Sequence, residues 1–140
     1  MLISMNQALI EKLNDQLNRE VTTFLRYMLQ AALIKGAQNE PIRQMYIEEV
    51  KDEVQHAQDL ANQIVSVGGV PELAPDLTPP PKSIEAMLAN DIEEEQTDVG
   101  NYMALSQMAE EKGFIALKMA MEEQAADEDQ HGQLMRRLLG

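Results

Sequence analysis

Between residues 68 and 82 the chain gathers Gly68, Gly69 and five of its six prolines: Pro71, Pro75, Pro79, Pro80 and Pro81. No helix survives that density of residues that lack either a side chain or a backbone N–H. On both sides apolar residues recur at helical spacing, so this segment must connect two helical halves. Breaks near Gly36 and Pro41, and again at Gly113, cut each half once more. The spacing predicts four helices, over about residues 6–35, 41–67, 83–112 and 114–139. In the first, Leu9, Ile10, Leu13, Leu17, Phe24, Tyr27, Ala31 and Ile34 share one face, and Gly36 suits its C-terminal cap. Pro41 fits the first turn of the second helix, which turns Met45, Val50, Leu60, Ile64 and Val67 inward. Ser83 is placed to cap the third.

Connections of about six residues or fewer within each half make antiparallel hairpins. The middle connection has about 15 residues, and at roughly 3.3 Å each it spans ~50 Å, more than the ~40 Å length of the helix before it. The second hairpin can therefore begin at the opposite end from where the first finished. The expected fold class is all-α: a single domain over residues 1–140, a four-helix bundle with one long crossover between helices 2 and 3.

Composition agrees and excludes several functions. Ala, Leu, Met, Gln and Glu abound, while Phe and Tyr number two and three and Trp is missing. With 11 basic against 24 acidic residues the formal charge is −13, which repels phosphates and attracts divalent cations, so no nucleic-acid partner is expected. The chain has no Cys, which rules out disulfides, thiolate metal sites and cysteine nucleophiles. Met1 to Asn6 show no leader-like pattern, and no apolar run approaches the roughly 18 residues of a membrane span. A cytoplasmic protein without membrane contact is expected.

The two halves match around the only two histidines. Asp52-Glu53-Val54-Gln55-His56 answers to Asp127-Glu128-Asp129-Gln130-His131. A Glu three residues before a His shares its helix face. Stepping back 33 residues from Glu53 and Glu128 leads to Glu20 and Glu95, and seven residues beyond those stand Tyr27 and Tyr102. Measured from the hairpin turns, each upstream Glu lies at about the height of its Glu-x-x-His. Two such hairpins packed together converge Glu20, Glu53, Glu95 and Glu128 with His56 and His131, which is the ligand set of a dinuclear metal site. Four carboxylates in a bundle interior repel one another unless metal or protons occupy the site. With 16 Glu in 140 residues, both histidines acquire a Glu-x-x-His by chance about once in eighty, before the upstream Glu is demanded.

Glu95 is preferred over Glu93 and Glu94, because the repeat selects it and the stripe Leu88, Ile92, Glu95, Val99, Tyr102 faces inward. Glu94 is expected to face solvent with Asp98 and Asn101, and the run Asp91 to Glu95 to form a mostly solvated face. Tyr27 and Tyr102 read as core residues near the site whose hydroxyls orient carboxylates. The ten Met residues read as apolar fillers.

These residues resemble the bacterioferritins of the ferritin-like superfamily. The likeness rests on Glu20 with Tyr27, the Asp-Glu-x-x-His-Ala run at 52–57, and the Gly69-Val70-Pro71 stop after His56. It implies a ferritin-like bundle and a ferroxidase in which Glu20, Glu53, His56, Glu95, Glu128 and His131 are both metal ligands and catalytic residues. Two iron ions per subunit, oxidation of Fe(II) by O2 or H2O2, and storage of Fe(III) in a hollow homo-oligomer come with it. A stand-alone di-iron or di-manganese oxidoreductase, such as a rubrerythrin-like peroxidase, manganese catalase or hydroxylase, is the alternative. Glu49 and Asp52 resemble inner-surface positions that hold transit iron, and a solvated acidic face is the plain reading of both.

Two departures shape the expectation. Val54 stands where the family carries its haem-ligating Met, and only nine residues follow His131, so no fifth helix is expected. The chain resembles a shortened bacterioferritin, and twelve subunits are expected. The resemblance places the first two helices at a twofold contact, where Met28 lies one residue past Tyr27 as Val54 does past Glu53. One residue turns a side chain by about 100°, toward the neighbour. Paired Met28 thioethers offer haem ligands there, and apolar packing of Met28 is the plainer reading.

Overall fold

The computed structural model describes residues 2–140, with side chains from Asn6 onward. Met1, part of the stretch expected not to form a leader, lies outside the described residues. Four helices follow one another: α1 (Leu2–Leu33), α2 (Glu40–Ser66), α3 (Ile84–Glu111) and α4 (Ile115–Leu139), with a 3₁₀ turn at Ala37–Asn39. This is the all-α four-helix bundle expected from the spacing. Helix α1 starts four residues earlier than expected, there being no Gly or Pro before Gly36 to stop it. None of the helices is long and apolar enough to cross a membrane among the described residues.

The starts of α2 and α3 and the end of α2 carry the expected chemistry, whereas α1 stops at Leu33 and Gly36, at a φ of 97°, leads into the 3₁₀ turn instead of capping α1. Pro41 sits in the first turn of α2, and the Ser83 hydroxyl accepts the Ala86 N–H at 3.1 Å at the start of α3. At the end of α2, Gly68 adopts a φ of 91°, its N–H donates to Val65 O, and Gly69 N–H donates to Ile64 O at 2.8 Å. A Cβ on Gly69 would stand 2.7 Å from Ile10 Cγ2, so the stop can close against α1 only as glycine.

The crossover is strapped along α1 by three side chains one turn apart. Asn14 bonds Val70 O and Glu72 N, Asn18 bonds Glu72 O and Ala74 N, and Thr22 Oγ1 accepts Asp76 N. Four helical residues rise about 6 Å, and two extended residues cover about the same distance, so the two registers stay in step. The crossover thus runs parallel to α1, and α3 begins at the end where α1 finishes.

Helix α1 packs along α2 and α3 along α4, and the hairpins meet through α1 with α3 and α2 with α4. The apolar core is in two parts. Leu9, Leu13, Leu60, Ile64, Leu105 and Leu117 belong to one end. Tyr27, Ala31, Met45, Tyr46, Leu88 and Met135 belong to the other. On every helix the residues between these parts include buried acidic or imidazole groups.

Candidate metal centre

That middle layer brings together all six residues singled out by the repeat. Glu20, Glu53, His56, Glu95, Glu128 and His131 are each at most 8% exposed. Each hairpin reaches into the other. His56 Nδ1 lies 2.8 Å from Glu128 Oε1 and 3.7 Å from Glu53 Oε2, while His131 Nδ1 lies 3.2 Å from Glu53 Oε1. The outer nitrogens are paired crosswise: His56 Nε2 is 3.2 Å from Asp127 Oδ2, and His131 Nε2 is 3.3 Å from Asp52 Oδ2. With Nε2 engaged, Nδ1 is the nitrogen each ring presents to the carboxylates. The rings stack at a centroid distance of 6.2 Å.

The tyrosines cross over in the same way. Tyr27 Oη on α1 donates to Glu95 Oε1 on α3 at 2.5 Å, and Tyr102 Oη on α3 donates to Glu20 Oε1 on α1 at 2.7 Å. Their hydroxyls therefore grip the candidate ligands directly. Gln16 Nε2 adds a second donor to Glu20 Oε1 at 3.1 Å.

Two overlapping ligand groups each include a histidine, and Glu95, Asp98 and Glu128 form a third made of carboxylates alone. One atom each of Glu20, Glu53, His56 and Glu128 lie within 4.8 Å of one another, and so do atoms of Glu49, Glu53, Glu95 and His131. Glu53 belongs to both, and Glu128 Oε1 is also 3.8 Å from His131 Nδ1. Of the thirteen buried side-chain atoms without a hydrogen-bond partner among the described residues, nine belong to these seven residues. Several stand within ion-pair distance of each other, yet without hydrogen-bond geometry. Oxygen and nitrogen donors that converge on common points without bonding one another fit a pair of divalent cations.

The electrostatics point the same way. Burial lowers the His131 pKa, but Glu49, Glu53 and Glu95 outweigh it and push the ring up to about 12. Burial likewise opposes protonation of His56, and Glu53 with Asp127 raises it to about 9. Burial pushes Glu95 up to about 8, whereas at Glu53 the two imidazoles overcome burial and lower the carboxyl. Metal-free, protons on His56, His131 and Glu95 offset part of the layer's negative charge, and cations must displace them.

Of the three neighbouring glutamates, Glu95 is the one that is buried, at 1% exposed. Glu93 is exposed, and the half-buried Glu94 carboxylate is 2.8 Å from Arg19. Two expectations are corrected. Asp98 does not face solvent beside Glu94. It is 1% exposed, because Arg19 Nε at 2.7 Å and Gln16 Nε2 at 3.0 Å draw it inward. Asp91 is not part of a solvated face either. It is fully buried and bonded by Arg26 Nε, Gln30 Nε2 and Tyr46 Oη. Glu49 and Asp52 part company: Glu49 is 4% exposed with its Oε2 2.7 Å from His131 Nδ1, while the Asp52 side chain is 59% exposed. Met28 is half exposed, and Val54 nearly so.

An open groove of ≈ 560 Å³ between α2 and α4 leads to both histidines past Asp52, Asp59, Glu123 and Asp127. A larger hollow of ≈ 710 Å³ beneath the crossover is lined by none of the six residues.

The ferritin-like domain profile matches residues 10–140 of the chain. The chain belongs to the ferritin-like domain family. Among solved structures, this ferritin-like chain is similar to a ferritin-like diiron-carboxylate protein of Bacillus anthracis, at 27% identity and a TM-score of 0.92 over 97% of this chain and 98% of that one. It is similar in fold to the bacterioferritin-related dodecameric thioferritin of Bacteroides fragilis, at 23% identity and 0.86, over 95% and 84% of the two chains. The same holds for Desulfovibrio desulfuricans bacterioferritin, whose diiron site has been seen in different catalytic states, at 18% identity and 0.90, over 99% and 82%. No curated protein sequence matches it.

Proposed function

We propose that this ferritin-like chain is a ferroxidase of an iron-storing shell, with Glu20, Glu53, His56, Glu95, Glu128 and His131 as the ligands of a di-iron centre within one subunit. The observation that carries this reading is the buried layer of two overlapping ligand groups sharing Glu53. When two Fe(II) ions are bound, each gives up one electron, and O2 takes both with two protons to leave as H2O2, or H2O2 takes them with two protons to leave as two waters.

The chain's own residues hold and orient. Glu53, which stands in both groups, would be the shared carboxylate, and Glu128 would serve the His56 side. Tyr27 and Tyr102 fix Glu95 and Glu20, each from the other hairpin, so neither hairpin forms the centre alone. Asp52 and Asp127 keep Nε2 of the histidines engaged and their Nδ1 inward. The acidic groove over them draws cations toward the layer.

The dodecameric Bacteroides relative supports a cage of twelve subunits for this chain. The exposed Met28, Leu29 and Leu33 on α1 and Val54 and Val65 on α2 offer apolar contact to a second copy. A haem between paired Met28 side chains is the lesser reading of that contact, and colourless protein from haem-replete cells rules it out. The test of the main reading is the initial rate of Fe(II) oxidation in air by metal-free protein, followed by absorbance of the ferric product. Glu53→Ala and Glu128→Ala should each fall to the protein-free rate while remaining folded. Wild-type rates in either variant would show the centre to be elsewhere.

A further inference from the structure

Shifting the first hairpin by 75 residues carries Glu20 onto Glu95, Tyr27 onto Tyr102, Asp52 onto Asp127, Glu53 onto Glu128 and His56 onto His131. The same shift carries Glu49 onto Gln124, and there the match breaks. Both residues stand one helical turn before the Glu of a Glu-x-x-His, and both are 4% exposed. Gln124 Oε1 and Glu49 Oε2 each lack a hydrogen-bond partner. Glu49 Oε2 lies 2.7 Å from His131 Nδ1, and Glu49 forms one ligand group with Glu53, Glu95 and His131. The group around His56 is completed by Glu20, Glu53 and Glu128. One half of the layer therefore has a further carboxylate where the other has a neutral amide.

Resting on the di-iron reading, we infer that Glu49 is a further metal ligand, which makes the centre asymmetric, with its His131 half the tighter cation site. A carboxylate attracts and binds a hard divalent cation more strongly than an amide oxygen in the same position. Metal should therefore enter in two unequal steps. The cation beside His131 is retained, and the one beside His56 is exchanged.

Cobalt(II), which air does not oxidise at simple oxygen and nitrogen ligands, serves as the probe. A crystal of metal-free protein given one equivalent per chain should show anomalous density beside His131, with Glu49 bonded to it. Calorimetric titration of the wild type should resolve two steps. Glu49→Gln should weaken the first by about tenfold or more and leave the second unchanged. Gln124→Glu, which restores the match, should bring the second step toward the first. Density first beside His56, equal density in both halves, or an unaltered first step in folded Glu49→Gln would overturn the inference while leaving the dinuclear centre standing. Folded wild-type protein that takes up no cobalt would overturn both.

Discussion

At Glu95 burial pushes the carboxyl up to about 8, while Tyr27 holds it in place from the opposite hairpin. Its folded pKa stands above the ordinary value, so its neutral form stabilises the metal-free fold at low pH, and that stability is lost as pH rises through about 8. His56 acts in the same direction. Its contribution is complete below the ordinary histidine value of 6.5 and disappears as pH rises through about 9. Metal-free protein should therefore melt lower at pH 9 than at pH 6.5, by about 5 °C or more, whereas protein loaded with divalent cations should not. Glu95→Gln keeps an acceptor for Tyr27 and removes the charge. It should melt above the wild type at pH 9 in the metal-free state and lose rapid Fe(II) oxidation. Glu94→Ala should oxidise iron normally, since Glu94 pairs with Arg19 at the edge of the bundle. A wild-type melting profile in Glu95→Gln would contradict the burial argument.

At the scale of the elements, the crossover decides the topology, and its hold on α1 is separable from the chemistry. Asn14 and Asn18 make four of the strap's five hydrogen bonds, all exposed. Changing both to Ala should cost about 1–2 kcal/mol and speed proteolysis within residues 68–82, with the first turnover of iron oxidation unchanged. Equal protease resistance would mean that the strap does not hold the crossover. The four helices were legible because Gly and Pro are local in effect: a φ of 91° at Gly68 or a missing N–H at Pro41 acts whatever packs nearby. The six candidate ligands were legible because the repeat doubles each of them. Asp91 and Asp98 were not, because a carboxylate on a helix reads as solvated until its partner is known. Those partners, Arg26 and Arg19, come from a helix 65 and 79 residues away. Glu49 was singled out only as an inner-surface position, and its place in the buried layer was missed for a related reason: matching the halves finds only residues present in both, and its counterpart is Gln124.

The whole molecule is a bundle whose core is interrupted by a layer that cannot be stable as bare carboxylates. Two apolar ends, each able to hold four helices together, flank the layer and fix its donors before any cation arrives. Neither hairpin owns the layer, since the tyrosine bonds, the histidine–aspartate pairs and the shared Glu53 all cross between hairpins. Outside, the formal charge of −13 and the acidic groove concentrate divalent cations, and the apolar face of α1 offers itself to further copies. The proposed storage role requires these features to act together, since a ferroxidase centre without a shell would release its ferric product to precipitate. The most direct measurement is size-exclusion chromatography of metal-free protein after aerobic loading with a large excess of Fe(II), with protein and iron followed in the same fractions. The account predicts that iron co-elutes with a large assembly that shows electron-dense interiors by microscopy. Protein eluting as a monomer or dimer, with the iron lost as precipitate, would contradict it.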